Sequence, residues 1–180
     1  MIPFSGFKIN SDDNGLPVTG YIDITVESNV NKVLFTYPIS ESNIAPGRND
    51  RKTSIVLPVK DFRCDNKIAY KDFINLLKAD TYPELTIDLP GKVLQQIRER
   101  ENVTLRNVTI NIAGVSKKYD IVCTEEKAAD GEKVLAGTIV VGLTDLHIDP
   151  PKKYFGMVKI KDEVIVKFGL GLKDQSYAQK

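Results

Sequence analysis

A two-residue alternation of apolar and polar side chains runs through short segments of almost the whole chain. In the first long segment, Ile22, Ile24 and Val26 alternate with Asp23 and Thr25. Successive side chains of a β-strand point to opposite faces, so this period is typical of a strand with one buried face. The same alternation recurs at 33–37, 55–59, 85–89, 108–112, 119–123, 135–143 and 164–170. The sequence therefore predicts a mainly β protein with about nine antiparallel strands.

Two segments depart from this alternation. The segment 66–80 has a helical period, with apolar side chains at Tyr70, Phe73, Ile74 and Leu77. Asp65 or Asn66 can cap the free N–H groups at its start, and the pattern predicts a helix whose apolar stripe covers part of the sheet. The segment 92–101 has a weaker helical pattern, for which an ordered loop is the alternative.

Length and composition predict one globular domain that spans residues 1–180. The chain is 42% hydrophobic, and 25 Lys and Arg against 24 Asp and Glu leave a formal net charge of +1. A chain of this length buries roughly 70% of its unfolded surface, which suffices for a core without a metal or a disulfide scaffold. Many short strands and few long connections favour an antiparallel barrel, or a strongly curved sheet, with few open edges.

Charge and hydropathy exclude nucleic acid and acidic membrane surfaces as partners, and they exclude a membrane-spanning helix. A nearly neutral chain without a long block of one sign has no electrostatic footprint for nucleic acid or for an acidic membrane surface. Its apolar runs are far shorter than the roughly 20 residues of a membrane-spanning helix. Residues 1–6 lack the basic and apolar regions of a secretory signal, so we expect a protein that stays inside the cell or has lost its signal.

Residues that carry catalysis are scarce in this sequence. His147 is the single histidine, and neither a nucleophile elbow nor a glycine-rich phosphate loop is present. We therefore expect no enzyme activity, and a hydrolase or isomerase that uses His147 with a nearby acid is an alternative. Cys64 and Cys123 lack zinc-site spacing and form either one disulfide, in an oxidising compartment, or two buried free thiols. We expect no cofactor and no metal.

The interior of the predicted barrel is the candidate binding site. A barrel of about eight strands is just wide enough to be filled with side chains or to hold one apolar ligand. Phe73 and Leu77 would lie on the helix at the barrel mouth, and each candidate residue also fits ordinary core packing. The predicted ligand-binding residues are Phe62, Tyr70, Phe73, Leu77, Ile110, Ile112, Phe155, Val164, Val166 and Phe168.

Several stretches, read in order, resemble the YceI-like family. They are VLPVKDFRCDNK at 56–67 with the following Tyr70 and Phe73, the pair Tyr82-Pro83, IAGV at 112–115, and LTDLHIDPP at 143–151. Together with 164–168 these matches extend over most of the chain, from about residue 17 to about residue 172. No single motif is diagnostic, and the resemblance depends on the order of all of them.

The resemblance implies a lipocalin-like antiparallel β-barrel with a helix inserted between strands. It also implies an exported bacterial protein, and some of the exported members of the family bind polyisoprenoid or quinone-type lipids inside the barrel. Export to the periplasm would make a bridge between Cys64 and Cys123 plausible, and the family suggests a homodimer. Our leading hypothesis is a non-enzymatic protein that sequesters or carries a long apolar molecule. The alternative is a structural or interaction protein of the cell envelope with a filled barrel and no ligand.

Overall fold

A computed structural model describes residues 18–46, 52–90, 102–127, 133–150, 152–153 and 157–172. Most of these residues form one nine-stranded antiparallel sheet that curls into a half-barrel. The prediction of an all-β antiparallel fold with an inserted helix is therefore confirmed. The strands of this sheet are β1 (Val18–Glu27), β2 (Lys32–Ile39), β3 (Ile44–Pro46), β4 (Lys52–Pro58), β5 (Glu84–Pro90), β6 (Asn102–Ile112), β7 (Val115–Lys127), β8 (Lys133–Gly142) and β11 (Glu163–Leu172).

The order of the strands explains why the sheet curls. It reads β2-β1-β11-β8-β7-β6-β5-β4-β3, so the two edge strands, β2 and β3, are consecutive in the chain. Residues 40–43, which include a short 3-10 turn, are all that joins them. Thr36 of β2 and Arg63, which follows β4, also exchange two backbone hydrogen bonds of 2.9 and 2.8 Å. A connection this short brings the two edges of the sheet together, and few backbone groups at these edges remain unpaired.

Helix α1 (Lys67–Leu76) connects β4 to β5. It begins where the sequence predicts, because the Asn66 side chain accepts hydrogen bonds from the backbone N–H groups of Ile68 and Ala69 at 3.1 and 3.0 Å. The helix ends four residues before the predicted boundary at residue 80. Lys78 adopts a left-handed conformation with φ 51°, which stops the helix. The second predicted helix, at 92–101, lies outside the described residues.

The inner face of the sheet forms the hydrophobic core, as the alternation predicts. Ile22 and Ile24 of β1 are buried, and so are Leu85, Ile87 and Leu89 of β5. The alternating residues of the remaining long strands are also mostly buried, and α1 adds Phe73 to the same cluster. None of the described helical segments is long and apolar enough to cross a membrane.

The connection from β8 to β11 lies at the same end of the sheet as α1. It contains the 3-10 turn Thr144–Leu146 and a small two-stranded sheet of β9 (Lys152–Lys153) and β10 (Val158–Lys159). Residues 160–162 separate the two sheets here, since β10 ends at Lys159 and β11 begins at Glu163. Asn29 holds this connection against the β1–β2 turn, because its side chain bonds to the backbone of Lys159 at 2.9 Å and of Met157 at 2.8 Å.

Candidate ligand-binding cavity

The half-barrel encloses a cavity of about 110 Å³ whose lining residues are all apolar. Side chains from eight strands of the curled sheet contribute, together with α1 and the connection from β8 to β11. A buried polar group without a partner is costly, whereas apolar walls lose nothing by facing an apolar molecule. The arrangement is that of a binding site for an apolar ligand.

The structure brings most of the predicted ligand-binding residues together around this cavity. Phe62 and Tyr70 are not part of its wall, and Phe155 lies outside the described residues. The Tyr70 hydroxyl instead donates a hydrogen bond of 2.6 Å to the Lys60 carbonyl. The role of each residue in binding stays a prediction. The predicted residues that line the cavity are Phe73, Leu77, Ile110, Ile112, Val164, Val166 and Phe168.

Phe62 belongs to a cluster of rings beside the cavity, which we call the aromatic cluster: Phe35, Tyr37, Phe62 and Phe73. The rings of Phe35 and Phe73 stack with centroids 4.3 Å apart. Phe62 lies 5.4 Å from Phe73 and 5.2 Å from Tyr37, in tilted arrangements. The Tyr37 hydroxyl accepts a hydrogen bond of 2.8 Å from the buried Asn43 side chain. The rings of the aromatic cluster therefore pack against one another, and the Tyr37 hydroxyl within it has a hydrogen-bond partner.

Sequence reasoning missed the part of the cavity wall that comes from the connection between β8 and β11. Leu146, Ile148 and Ile160 line the cavity from this connection. Leu146 and Ile148 are apolar residues among exposed polar neighbours, and this local contrast is the signal that could have identified them.

Gly137 of β8 was also missed, and it makes room for a wall residue. A Cβ atom at this position would lie 2.7 Å from the ring of Phe168, which is its cross-strand partner on β11. Any larger residue at 137 would push the Phe168 ring out of its place in the cavity wall.

Within the described ranges, no titratable or nucleophilic side chain lines the cavity. His147 is exposed and follows the 3-10 turn with a left-handed φ of 57°. Within the described ranges, no three His, Cys, Asp or Glu residues are close enough to hold a metal ion. Cys64 and Cys123 are both free, which agrees with the second alternative; Cys123 is buried as that alternative expects, whereas Cys64 is half-buried. Burial raises the pKa of the Cys123 thiol to about 11, which keeps it in the neutral form.

Charged residues lie at the rim of the sheet near the connection from β8 to β11. Glu27 pairs with Lys161 at 2.8 Å and with Lys32 at 3.0 Å. Hydrogen bonds from Lys161 and then from Lys32 lower the pKa of Glu27 below its usual value. Nearby, the Lys117 ammonium lies 2.9 Å from the Asp145 carboxylate. The charged side chains at the rim thus form ion pairs, and the interior beneath them is apolar.

A curled antiparallel sheet with an inserted helix and an enclosed apolar cavity defines the class of β protein to which this fold belongs. The chain shares its fold with a polyisoprenoid-binding domain from Saccharophagus degradans implicated in plant cell wall breakdown. The two have a TM-score of 0.60 and 10% sequence identity, over 87% of this chain and 97% of that one. BcnA of Burkholderia cenocepacia is similar, with a TM-score of 0.59 and 12% identity, over 86% of this chain and 96% of that one.

A YCEI protein from Campylobacter jejuni also matches, with a TM-score of 0.48 and 14% identity over 69% of this chain and 73% of that one. At the level of sequence, no family model and no curated protein matches the chain. The polyisoprenoid-binding domain and BcnA confirm the resemblance as a likeness of fold. With identities this low, the fold is what they share.

Proposed function

We propose that this protein binds a long apolar molecule of the lipid or isoprenoid kind in the cavity of the half-barrel, without catalysing a reaction. The observation that carries the proposal is the cavity of about 110 Å³ with its entirely apolar wall. The polyisoprenoid-binding domain with the same fold supports the same class of ligand. A filled interior, which the alternative of a purely structural protein requires, would have no such cavity.

The volume sets the length of chain that the cavity can take. One water-sized sphere needs roughly 10–15 Å³, so the cavity has room for a segment of roughly eight carbons. Each buried methylene contributes about 0.8 kcal/mol, and eight of them contribute roughly 6 kcal/mol before the entropy of association is subtracted. A longer molecule would extend from the cavity or displace wall residues.

A chain-length series tests the proposal. Straight-chain alcohols of increasing length would be titrated against the protein while they displace a fluorescent apolar dye. We expect affinity to rise about fourfold per methylene up to about eight carbons and then to level off. The variant Val122→Phe enlarges an exposed residue on the outer face of β7 and serves as the matched control, since it leaves the cavity unchanged. Affinity that does not depend on chain length, or that changes in the control, would contradict binding inside the cavity.

We also propose that the protein acts in the periplasm or another exported location. The resemblance to YceI-like proteins supports this location. Fractionation of the source cells, followed by detection with an antibody, would test it, and a protein confined to the cytoplasmic fraction would rule it out.

A further inference from the structure

The strands β7 and β8 are paired along only part of their length. Their ladder begins beside the turn that joins them and ends at the pair of Cys123 and Gly137. Beyond this pair, β7 still includes residues 115–122 and β8 still includes residues 138–142. Over these fully described residues, the two strands have no paired register. We call this unpaired region between 115–122 and 138–142 the slit.

The neighbouring ladders are complete at the same level of the sheet. β7 stays paired with β6 up to its first residue, Val115, which lies opposite Ile112. β8 stays paired with β11 up to its last residue, Gly142, which lies opposite Glu163. Each strand is therefore held by its other neighbour along its whole length. Because the hydrogen bonds of a ladder are what hold adjacent strands together, the wall can open at the slit without breaking a paired register.

The slit separates the cavity from an apolar part of the outer surface. Ile121 of β7 and Ile139 and Val141 of β8 line the cavity along the two edges of the slit. On the opposite face of the same strands, Val122 and Val140 are 67% and 55% exposed. Apolar side chains therefore stand on both faces of the sheet beside the end of the ladder. An apolar molecule that passes between the strands here meets apolar surface outside and inside the wall.

One ion pair closes the end of the slit that is farther from the ladder. The Lys117 ammonium on β7 lies 2.9 Å from the carboxylate of Asp145, which belongs to the 3-10 turn that follows β8. Gly142 makes room for this carboxylate, because a Cβ atom at position 142 would lie 2.8 Å from one of its oxygens. Both side chains of the pair are partly exposed. Exposed ion pairs are weak, so this one can break and re-form readily.

We propose that apolar molecules enter and leave the cavity through the slit, and that the Lys117–Asp145 ion pair acts as a latch that keeps the slit closed. This inference rests on the proposed binding function and adds an entry route to it. The route differs from a mouth at α1, which the sequence suggests. Because the latch is closed in both the empty and the loaded protein, it affects the rates of entry and exit and not the equilibrium affinity.

The first test weakens the latch and follows a simple probe, an octanol with a terminal trifluoromethyl group. Exchange spectroscopy by fluorine NMR gives the association and dissociation rates of this probe. Asp145→Asn should raise both rates about two- to fivefold, the range for an exposed ion pair, without changing the affinity. Glu125→Gln is the matched control and should leave both rates unchanged. It breaks the 3.2 Å ion pair with Lys133, which joins the same two strands within their ladder.

Salt tests the latch without a substitution that could perturb folding. Raising the sodium chloride concentration from about 0.05 M to about 0.5 M screens exposed charges. Both rates should therefore rise in the wild-type protein towards those of Asp145→Asn, whereas the rates of Asp145→Asn should change little. Equal responses to salt in the two proteins would overturn the latch.

The second test blocks the slit from outside. Val140→Cys beside the slit and Ile68→Cys on α1 each place a cysteine at an exposed position, in a Cys64→Ala background. Each cysteine is coupled to a bulky polar maleimide, and Cys123 does not react because it is buried and its pKa is raised to about 11. The label at position 140 should slow both rates at least about tenfold, and the label at position 68 should leave them unchanged.

The outcomes separate the entry route from the proposed function. A label at position 140 that leaves the rates unchanged, or a label at position 68 that slows them as much, overturns the slit as the route. Unchanged rates in Asp145→Asn, or a change of its affinity in place of its rates, overturn the latch. In each of these cases the probe still binds and the proposed function stands. A wild-type protein that does not bind the probe overturns the proposed function itself.

Discussion

The aromatic cluster and the cavity wall occupy neighbouring parts of one interior, yet the first is filled and the second encloses a volume. In the aromatic cluster, rings from β2, from α1 and from the segment between β4 and α1 pack at centroid distances of 4.3 to 5.4 Å. The cavity wall consists mainly of Ile, Leu and Val side chains. Rings reach across the interior to one another, whereas shorter aliphatic side chains on a curled sheet leave space between opposite walls.

Two buried tyrosine hydroxyls also differ in their hydrogen bonding. The Tyr37 hydroxyl in the aromatic cluster is bonded to Asn43, whereas the buried Tyr119 hydroxyl of β7 has no hydrogen-bond partner among the residues that the structure describes. Phe73 belongs to both regions, because it stacks on Phe35 and lines the cavity. The comparison teaches that one interior contains a tightly packed region and, beside it, a region that encloses an apolar volume.

The largest expected effect comes from removing a ring of the aromatic cluster. Phe35→Ala should lower the free energy of unfolding by about 3–5 kcal/mol, because Phe35 is buried and stacked and its loss leaves a cavity. Phe168→Ala, in the cavity wall, removes the same number of atoms and should lower it by less, about 2–3 kcal/mol, because this ring borders a volume that is already empty. Urea denaturation of both variants measures the difference. Equal losses in the two variants would show that the two regions do not differ in packing.

An intermediate effect is expected when side chains are enlarged. Val166→Phe places the added atoms in the cavity and should change stability by less than about 1 kcal/mol while it weakens binding of apolar probes by roughly tenfold. Leu57→Phe enlarges a fully buried residue outside the cavity wall and should destabilise the protein by about 1–3 kcal/mol with little effect on affinity. Thermal unfolding and dye displacement measure the two properties. If Val166→Phe bound the probes as the wild-type protein does, the cavity would not be the binding site.

The smallest effect concerns the buried thiol of Cys123, on the inner face of β7. Its pKa in the folded protein, about 11, exceeds the value of 9.0 for a free thiol because the thiolate would be buried. The thiol therefore ionises at a lower pH in the unfolded chain than in the folded protein. The stability that the neutral buried thiol contributes is present below pH 9 and is lost as the pH rises towards 11. Between these limits the wild-type protein should lose stability relative to Cys123→Ala, and denaturation at several pH values measures the difference. Cys64→Ala, which retains Cys123, should follow the wild-type protein, and a parallel pH dependence in all three proteins would contradict the prediction.

Much of the fold could be predicted because its signals are local. The strand alternation identified the buried face of β1 at Ile22 and Ile24, and Asn66 identified the start of α1. The predicted end of α1 was wrong because the left-handed residue that stops the helix, Lys78, is not a glycine, the residue that usually signals such a stop in the sequence. Leu146 and Ile148 were not predicted as wall residues because their contrast with polar neighbours marks them as buried but does not say which part of the sheet they cover.

The sequence by itself determined which side chains of each strand face the interior, since the two-residue period is a property of the extended backbone at each position. Only the tertiary structure decided which of those side chains meet and which enclose a cavity. That outcome depends on the curl imposed by the short link between β2 and β3 and on the distance between strands far apart in the chain. Tyr119 illustrates both contributions. Its inward position follows from the alternation along β7, whereas the hydrogen bonding of its hydroxyl depends on the residues that pack around it in the tertiary structure.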